Sequence, residues 1–399
     1  MTQLDLDFVR AQFPAFSSPE LEGWAFFENA GGSYPCRQVV ERLHDVYTNC
    51  KIQPYWAFDA SARLGRMMDE SREKLARALG VAEDEVSFGP STTQNTYVLA
   101  QAFRETLAPG DEIIVTNQDH EANTGAWRRL ADHGISVREW QVDPATGLLD
   151  PAALDALLTG RTRLVCFPHA SNIVAAINPV AEITAKAHAA GAVTVTDGVS
   201  YAPHGLPDVG AMGCDVYLFS SYKTYGPHQG VMVIRQALAD RLANQAHGFN
   251  AGGRTKRFTP AGPDHAQIAA LGAMVDYFDA VSAHHGGADA HDLMRDAEIA
   301  RSGPLLDWLS GRNNVRLIGP EAARDRAPTF AILHERPGEE LAAELAGHKI
   351  MCGGGDFYSP RVIEAMGIDP AHGVLRVSMT HYTSAGEVDR LIEALDQVL

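Results

Sequence analysis

Short runs of hydrophobic residues alternate with amphipathic or alanine-rich stretches between residues 85 and 234. The hydrophobic runs are Val86–Phe88, Ile113–Val115, Leu164–Phe167, Val193–Val195, Val216–Phe219 and Val231–Ile234. One of the stretches between them, Pro179–Ala190, is alanine-rich and is followed by Gly191. Apolar runs separated by helices are typical of a mostly parallel sheet that is buried on both faces. The pattern therefore predicts an α/β fold.

The connection between the last two hydrophobic runs is unusually short. The link from Lys223 to Val231, between Val216–Phe219 and Val231–Ile234, is too short for a helical crossover. A parallel connection needs a crossover of a dozen or more residues, usually a helix. We therefore expect one antiparallel pair of strands near Lys223.

The pattern changes after Gly262. It predicts two long helices and a closing helix, at 264–283, 289–309 and 384–399, and strands at 315–318, 329–333 and 374–378. We interpret this part as a smaller α+β domain. The predicted division is a large α/β domain at 17–283 and a small domain made of 1–16 and 284–399.

Composition and charge narrow the function. The chain has 399 residues, of which 45% are hydrophobic and 21% charged, enough for a large core. Its net charge of -17 argues against general binding to nucleic acid or to an anionic membrane. The N-terminal residues do not resemble a signal peptide, and no apolar run reaches the length of a membrane span. We expect a cytoplasmic protein.

Cysteines and histidines give no metal signature. The five cysteines are scattered, without the paired short spacing of a zinc site or of a secreted disulfide framework. The sixteen histidines show no ligand spacing with carboxylates. We expect reduced structural thiols and no metal site.

Two charged residues follow hydrophobic runs of the predicted sheet. Lys223 comes shortly after Val216–Phe219, and Asp197 ends the segment that begins at Val193. Taken singly, a loop lysine is usually solvated and such an aspartate often caps a helix. Together they supply an amine for a Schiff base and a carboxylate that keeps a pyridine nitrogen protonated, which is what pyridoxal phosphate chemistry requires. Ligands of such sheets bind at the carboxyl ends of the strands.

Three further segments at predicted strand ends suit the same ligand. Thr92 and Thr93 lie at a predicted helix start, where hydroxyls and backbone amides can hold a phosphate. His120, after the next strand, could lie flat on an aromatic ring. Asn172 could donate to a phenolic oxygen. These strand ends therefore favour one flat, phosphorylated aromatic ligand.

In order and spacing, these segments resemble the class V aminotransferases of pyridoxal phosphate fold type I, within them the cysteine desulfurase-like and selenocysteine lyase-like branch. The resemblance covers nearly the whole chain. It rests on Asn29-Ala30, Thr92-Thr93, Asp119–Asn123, His169–Asn172, Thr196–Gly198, Ser220–Lys223 and Leu375–Ser378. It implies a large domain with a mostly parallel seven-stranded type of sheet and a small α+β C-terminal domain.

The resemblance also implies a role for individual residues. Catalytic residues would be Lys223, His120 and Asp197. Cofactor-binding residues would be Thr92, Thr93, His120, Asn172, Asp197, Ser200, Ser220, Tyr222, Lys223 and Gly262. The substrate would be bound by Asn29, Ala30 and Arg376, the last through a two-pronged contact with its carboxylate. Gly262 would serve the neighbouring subunit of a homodimer through backbone N–H groups, because it occupies the usual threonine position.

One departure from the family pattern concerns the reaction. Cysteine desulfurases carry a nucleophilic cysteine just before the carboxylate-binding arginine, where this chain has Phe357 or Tyr358. Cys352 comes earlier, and we expect it to be a buried strand residue. Ser200 follows Val199 where many desulfurases have Ala-Gln, so the usual glutamine contact is missing. Desulfuration through a protein persulfide is therefore not expected.

The resulting hypothesis is a pyridoxal phosphate enzyme that acts on a small amino acid. Its activity would be cysteine desulfurase-like or that of a C–S or C–Se β-lyase, with Lys223 as the Schiff-base lysine. An aminotransferase or an amino-acid epimerase would use the same lysine and aspartate, so both alternatives stay open. A non-catalytic scaffold descendant is disfavoured, because it would need none of these residues.

Overall fold

The computed structural model describes residues 3–399. Its helices are α1 (Leu6–Ala11), α2 (Arg37–Asp45), α3 (Asp59–Ala78), α4 (Thr92–Arg104), α5 (Glu121–Arg128), α6 (Pro151–Asp155), α7 (Val180–Ala189), α8 (Val209–Met212), α9 (Gln236–Ala239), α10 (His265–His284), α11 (Ala290–Ser310), α12 (Gly338–Gly347), α13 (Pro360–Ala365) and α14 (Ala385–Val398). Its strands are β1 (Ala25–Phe26), β2 (Val86–Gly89), β3 (Glu112–Thr116), β4 (Ser136–Trp140), β5 (Thr162–Pro168), β6 (Val193–Asp197), β7 (Val216–Ser220), β8 (Gly230–Ile234), β9 (Arg316–Ile318), β10 (Thr329–Leu333), β11 (Ile350–Met351), β12 (Gly353–Gly355) and β13 (Val374–Ser378).

A seven-stranded sheet forms the centre of the molecule, in the order β2-β8-β7-β6-β5-β3-β4. Four neighbouring pairs are parallel, namely β7–β6, β6–β5, β5–β3 and β3–β4. Strand β8 runs antiparallel to both of its neighbours. The predicted α/β fold and the predicted antiparallel pair near Lys223 are therefore confirmed.

Helices cover both faces of this sheet. Along β3, Ile114 packs in the core that includes residues of α3 and α10. The adjacent Ile113 and Val115 pack in a second core with residues of α4 and α5. Successive side chains of a strand point to opposite faces, so a strand that is apolar at every position must be covered twice. This explains why the central strands appear in the sequence as continuous hydrophobic runs.

Strand β4 was not predicted from the sequence. It pairs in parallel with β3 at one edge of the sheet. Only Trp140 of its five residues is buried, and Arg138 and Glu139 interrupt the apolar pattern. An edge strand is packed less completely than a central one, which removes the hydrophobic signal.

A second, antiparallel sheet has the strand order β12-β13-β10-β9. Helices α11, α12 and α14 contribute leucines to the core beside it. Strands β10 and β13 occupy the ranges 329–333 and 374–378 that the sequence predicts. The small α+β C-terminal domain is thus confirmed as part of the fold.

One N-terminal stretch is associated with the smaller sheet. Strand β1 pairs in parallel with β11, and Ala25 and Phe27 pack in the core of the small domain. The predicted division placed residues 17–283, and with them β1, in the large domain. The packing favours assigning the stretch around β1 to the small domain, and the division at 283, at the end of α10, stays a prediction.

Helices α3, α10 and α11 have 20, 20 and 21 residues. Helices α3 and α10 pack against each other beside the large sheet. No helix within residues 3–399 has both the length and the apolar character needed to cross a bilayer.

Candidate active site

Two adjoining cavities lie where the carboxyl ends of β3, β5, β6 and β7 meet residues of the smaller domain. We call the cavity of about 270 Å³ the inner cavity and that of about 720 Å³ the outer cavity. Asp197, Ser200 and Ser220 line the inner cavity, and Glu28 and Arg376 line the outer one. Both cavities are lined by Thr93, His120, Ala122, Asn172, Tyr222 and Lys223. The strand ends thus bring together most of the residues that the sequence singled out.

Lys223 lies at the junction of the two cavities. It ends the helical turn Ser221–Lys223 that follows β7. Burial, followed by the nearby Arg376 cation, lowers the pKa of Lys223 to about 8, against the opposing charges of Asp197 and Glu28. A substantial fraction of the amine is therefore neutral near physiological pH, as a nucleophile or a base requires.

Asp197 presents a carboxylate to the inner cavity. Its Oδ1 accepts a hydrogen bond from the Val199 N–H at 2.8 Å, and burial raises the pKa of Asp197 to about 6. The next residue must be glycine, because a Cβ on Gly198 would lie 2.1 Å from Cζ of Tyr217. The tight turn fixes the carboxylate at the end of β6, where it can accept a proton-bearing ring nitrogen.

His120 is held as a neutral ring. It caps α5, and its Nδ1 accepts a hydrogen bond from the Ala122 N–H at 3.0 Å. Burial, followed by the charges of Lys223 and Arg376, lowers the pKa of His120 to about 3. The proton of the neutral ring is therefore on Nε2. Such a ring can lie against an aromatic cofactor without adding a charge.

Asn172 connects the large domain to a loop of the small one. Its Nδ2 donates to the carbonyl oxygen of Phe357 at 3.0 Å, and its Oδ1 accepts from Ser359 Oγ at 2.8 Å. Phe357 and Tyr358 both have positive φ, 51° and 59°. The left-handed region is unfavourable for such residues, so the bonds to this loop hold a strained backbone in place at the cavity.

A cup of hydroxyl and amide groups lies at the start of α4. Ser91 caps the helix by accepting a hydrogen bond from the Gln94 N–H at 3.2 Å, and Thr92 Oγ1 lies 2.8 Å from Ser220 Oγ. Thr92 and Thr93 form the first turn, whose N–H groups have no partner within the helix. The N-terminus of a helix is a natural site for a phosphate. Ser200 and Tyr222 line the same cavity.

Arg376 lies in β13 and reaches the outer cavity from the small domain. Its Nη2 forms an ion pair with Glu28 Oε1 at 2.6 Å, and its guanidinium lies 3.7 Å from the centre of the Phe357 ring. Only 4% of the Arg376 side chain is exposed, against 28% for Glu28. Burial lowers the pKa of Arg376, and Glu28 opposes this effect. The predicted carboxylate site therefore already contains a carboxylate of the protein itself.

Among the predicted site residues, Ala30 lines the outer cavity, but Asn29 and Gly262 lie away from both cavities. The Asn29 Nδ2 donates to the Ser378 carbonyl oxygen at 3.0 Å and its Oδ1 accepts from Tyr382, so its amide ties the stretch after β1 to the C-terminal part of the chain. Gly262 lines a separate cavity of about 460 Å³. The substrate role of Asn29 and the cross-subunit role of Gly262 stay predictions.

The thiols do not reach the site. All five cysteines are free, and none of them lines either cavity. Cys352 is half-buried beside the small-domain core, and burial raises its pKa to about 12. Residues 3–399 contain no group of three or more His, Cys, Asp or Glu side chains placed to hold a metal ion.

Several site residues were not identified as such from the sequence. Glu28 pairs with an arginine 348 positions away, and Arg361 pairs with Glu121 at 2.7 Å between domains. Asp119 is buried with its Oδ2 accepting from Asn123 Nδ2 at 2.6 Å, and burial beside Asp197 raises the pKa of Asp119 well above its usual range. Glu28 precedes the Asn29-Ala30 motif, and Asp119 and Glu121 lie within the Asp119–Asn123 motif, whereas no motif of the sequence marked Arg361.

Comparisons with known sequences agree on the family. The chain matches the family described as "Aminotransferase class-V" over residues 25–391. The aminotransferase-like protein FGM3 of Gibberella zeae is 31% identical over 411 residues, covering 100% of this chain and 99% of that protein. A cysteine desulfurase of Serratia proteamaculans is 30% identical over 410 residues, covering 98% of this chain and 97% of its own.

Solved structures share the fold. The cysteine desulfurase CsdA of Escherichia coli superposes with a TM-score of 0.86 at 24% identity, covering 99% of this chain and 98% of its own. A C-DES mutant with glycine covalently linked to its PLP cofactor has a TM-score of 0.80 at 19% identity, covering 98% and 99%. At such identities the likeness shows the fold alone, which is the one that the sequence predicts. Because the family match and the relatives span nearly the whole sequence, this chain belongs to the class V aminotransferase family.

Proposed function

We propose that this enzyme, with pyridoxal phosphate as its cofactor, cleaves the Cβ–S or Cβ–Se bond of a small amino acid without forming a protein persulfide. One observation carries the proposal. The amine of Lys223, the carboxylate of Asp197 and the guanidinium of Arg376 line two adjoining cavities in which there is no cysteine.

The inner cavity fits the cofactor. Thr92 and Thr93 offer unpartnered N–H groups for its phosphate, as the helix N-terminus allows. Asp197 has one oxygen bonded to the Val199 N–H, while its second makes no hydrogen bond within residues 3–399 and is available to a ring nitrogen. Lys223, at the junction of the cavities, would hold the cofactor covalently through Nζ.

The mechanism follows from these positions. Bound pyridoxal phosphate supplies a ring that accepts the electron pair left on the substrate Cα. Arg376 binds the substrate carboxylate and orients the Cα–H bond. Lys223 Nζ would take the Cα proton, which its pKa of about 8 allows near neutral pH. Asp197 keeps the ring nitrogen protonated, and His120 would lie against the ring.

The environment of the thiols supports direct release of the product. A persulfide carrier must be a thiolate within reach of the substrate sulfur. Burial raises the pKa of Cys352 to about 12. Phe357, near the position of the family's nucleophile, instead stacks on Arg376. Sulfide or selenide would therefore leave without transfer to the protein.

An aminotransferase is the second candidate, because the lack of a thiol at the cavities suits it equally. An epimerase would use the same Lys223 and Asp197 but would return the proton from the opposite face.

We further propose a homodimer, in which Gly262 serves the neighbouring site, and a cytoplasmic location, which cell fractionation would test.

The decisive experiment compares wild-type protein with Lys223→Ala and with Lys186→Ala, a lysine paired with Asp155 on a distant helix. After addition of pyridoxal phosphate, wild type and Lys186→Ala should gain a visible absorption band that borohydride fixes to the protein. Lys223→Ala should gain no fixed label. Lack of the band in wild type would refute the proposal.

The holoenzyme is then assayed anaerobically with a panel of amino acids. Release of sulfide or selenide together with pyruvate and ammonia, the products of elimination across Cα and Cβ, is the expected result. Amine transfer that depends on an added keto acid, without such release, would establish an aminotransferase. Loss of optical activity alone would establish an epimerase.

A further inference from the structure

The outer cavity is larger than the reaction of a small amino acid requires. It measures about 720 Å³ and extends from Lys223 and Arg376 along α5 to the surface. Ala122 and Gly125 lie on the face of α5 that lines it, and a Cβ on Gly125 would meet only Glu121 Oε2 within 4 Å, at 3.5 Å. A ligand anchored at Arg376 therefore has room for an arm that follows this helix.

Arginines stand at the far end of this space. Arg128 and Arg129 lie at the end of α5, and Arg361 faces them from α13. On the lining beyond the pair of Arg376 and Glu28, the only carboxylate is Glu121. The whole chain has a net charge of -17, so this concentration of guanidinium groups is a local feature.

Two of these guanidinium groups have both of their Nη groups unused. Arg361 donates from Nε to Glu121 Oε1 at 2.7 Å, and its two Nη groups make no hydrogen bond within residues 3–399. Arg129 is exposed, and within the same range its side chain has no ion pair or hydrogen bond and lies 5.5 Å from the centre of the Tyr97 ring. The planar fork of an arginine suits an oxyanion that can accept two bonds.

Arg128 differs from the other two. It forms an ion pair with Glu139, which balances its charge. It lies in the last turn of α5, where a cation also stabilises the helix dipole. Arg128 has an unpartnered buried Nε but uses Nη2 on Glu139, whereas Arg129 and Arg361 have both Nη groups free within residues 3–399.

We propose that the substrate carries a second anionic group, a carboxylate or a similar oxyanion, on a flexible arm that reaches Arg129 and Arg361. This inference rests on the proposed function, since Arg376 must take the α-carboxylate. The distal group would distinguish the true substrate from cysteine and alanine, whose short side chains leave the outer half of the cavity empty.

Binding to the holoenzyme tests the proposal without turnover at Cβ. L-Glutamate and L-2-aminoadipate are compared with their side-chain amides, which have the same shape without the charge, by titrating the visible band. The acids should bind about fivefold or more tightly than the amides, as expected for a partly exposed charged contact, and the preference should fall at high salt. L-2-Amino-4-phosphonobutanoate shows whether a phosphonate replaces the carboxylate.

Variants assign the preference to the two arginines. Arg129→Gln and Arg361→Gln should each reduce the ratio of amide to acid dissociation constants towards one, and Arg129→Lys should restore part of it. Arg241→Gln, at an exposed arginine that lines neither cavity, should keep the wild-type ratio. Equal binding of acid and amide by wild type, or an unchanged ratio in both variants, would overturn the distal site alone. A protein that never gains the visible band would overturn the proposed function, and this proposal with it.

Discussion

Lys223 has a lowered pKa because its side chain is buried and because Arg376 lies nearby. Only the neutral amine attacks an aldehyde, so the rate at which the apoprotein takes up pyridoxal phosphate should rise with pH and reach half its maximum near 8. Arg376→Gln should move this midpoint to higher pH, because it removes a cation. Glu28→Gln should move it to lower pH, because it removes an anion that raises the pKa.

Stopped-flow absorbance between about pH 6 and pH 11 measures this profile, since the range brackets both the lowered and the ordinary pKa of a lysine. Opposite shifts in the two variants are the expected signature of a charge effect. If wild type, Arg376→Gln and Glu28→Gln have the same pH midpoint, the charges of these two side chains do not influence the pKa of Lys223.

The ion pair between Glu28 and Arg376 leads to a second prediction. Glu28 Oε1 lies 2.6 Å from Arg376 Nη2 and occupies a donor that a substrate carboxylate needs. Replacing it in Glu28→Gln should lower the dissociation constant of L-alanine about fivefold, as expected for about 1 kcal/mol of competition. Titration of the holoenzyme band measures it, with Glu41→Gln on the exposed face of α2 as a control. Weaker binding in Glu28→Gln would mean that Glu28 orients the arginine instead.

Site residues that directly follow a strand could be predicted from the sequence. Contacts between side chains that are far apart in the sequence could not. Lys223, Asp197 and His120 each come after a hydrophobic run, so their position at the sheet edge could be inferred. Glu28 and Arg376 are 348 positions apart, and their contact depends on how β1 and β13 come together. Side-chain pairing of this kind is a property of tertiary packing, which one sequence does not reveal.

Helix α4 connects local sequence with cofactor binding. Ser91 caps this helix at the inner cavity, and Ser384 caps α14 in the same way by accepting from the Glu387 N–H at 3.1 Å. Ser91→Ala and Ser384→Ala should each cost about 1 kcal/mol of unfolding free energy. Only Ser91→Ala should also weaken the binding of pyridoxal phosphate, because the first turn of α4 lines the phosphate cup.

Thermal unfolding of the apoprotein and equilibrium binding of the cofactor measure the two effects. Equal losses of stability with different losses of affinity would separate capping from phosphate binding. If both variants bind the cofactor like wild type, the start of α4 does not hold the phosphate.

The secondary structure was predictable where burial is uniform. Strands β5, β6, β7 and β8 are buried over nearly their whole length, and each gives a continuous apolar run. Strand β12 consists of Gly353–Gly355, which has no side chains to form a pattern. It pairs with β13 through its backbone alone, so only the folded chain reveals it.

The molecule as a whole exposes large aromatic side chains beside the predicted cross-subunit loop. Exposed fractions are 55% for Tyr47, 53% for Tyr55, 61% for Trp56, 54% for Phe58 and 84% for Phe249. Tyr55, Phe249 and Gly262 line one further cavity of about 600 Å³. Contiguous exposed apolar groups mark interaction surfaces. A second copy of the chain that covers them would bring the Gly262 loop of one subunit towards the site of the other.

We therefore expect light scattering to give about twice the monomer mass of 43.1 kDa. Trp56→Glu and Phe249→Glu should shift the protein towards monomer, because each buries a charge in the interface. Leu148→Glu, on an exposed residue that lines none of these cavities, should leave the mass unchanged. Because Gly262 lines neither the inner nor the outer cavity within residues 3–399, monomeric variants should also bind pyridoxal phosphate less tightly than the dimer. A monomeric wild-type holoenzyme with full activity would show instead that one chain completes the site and that the exposed aromatic residues serve another purpose.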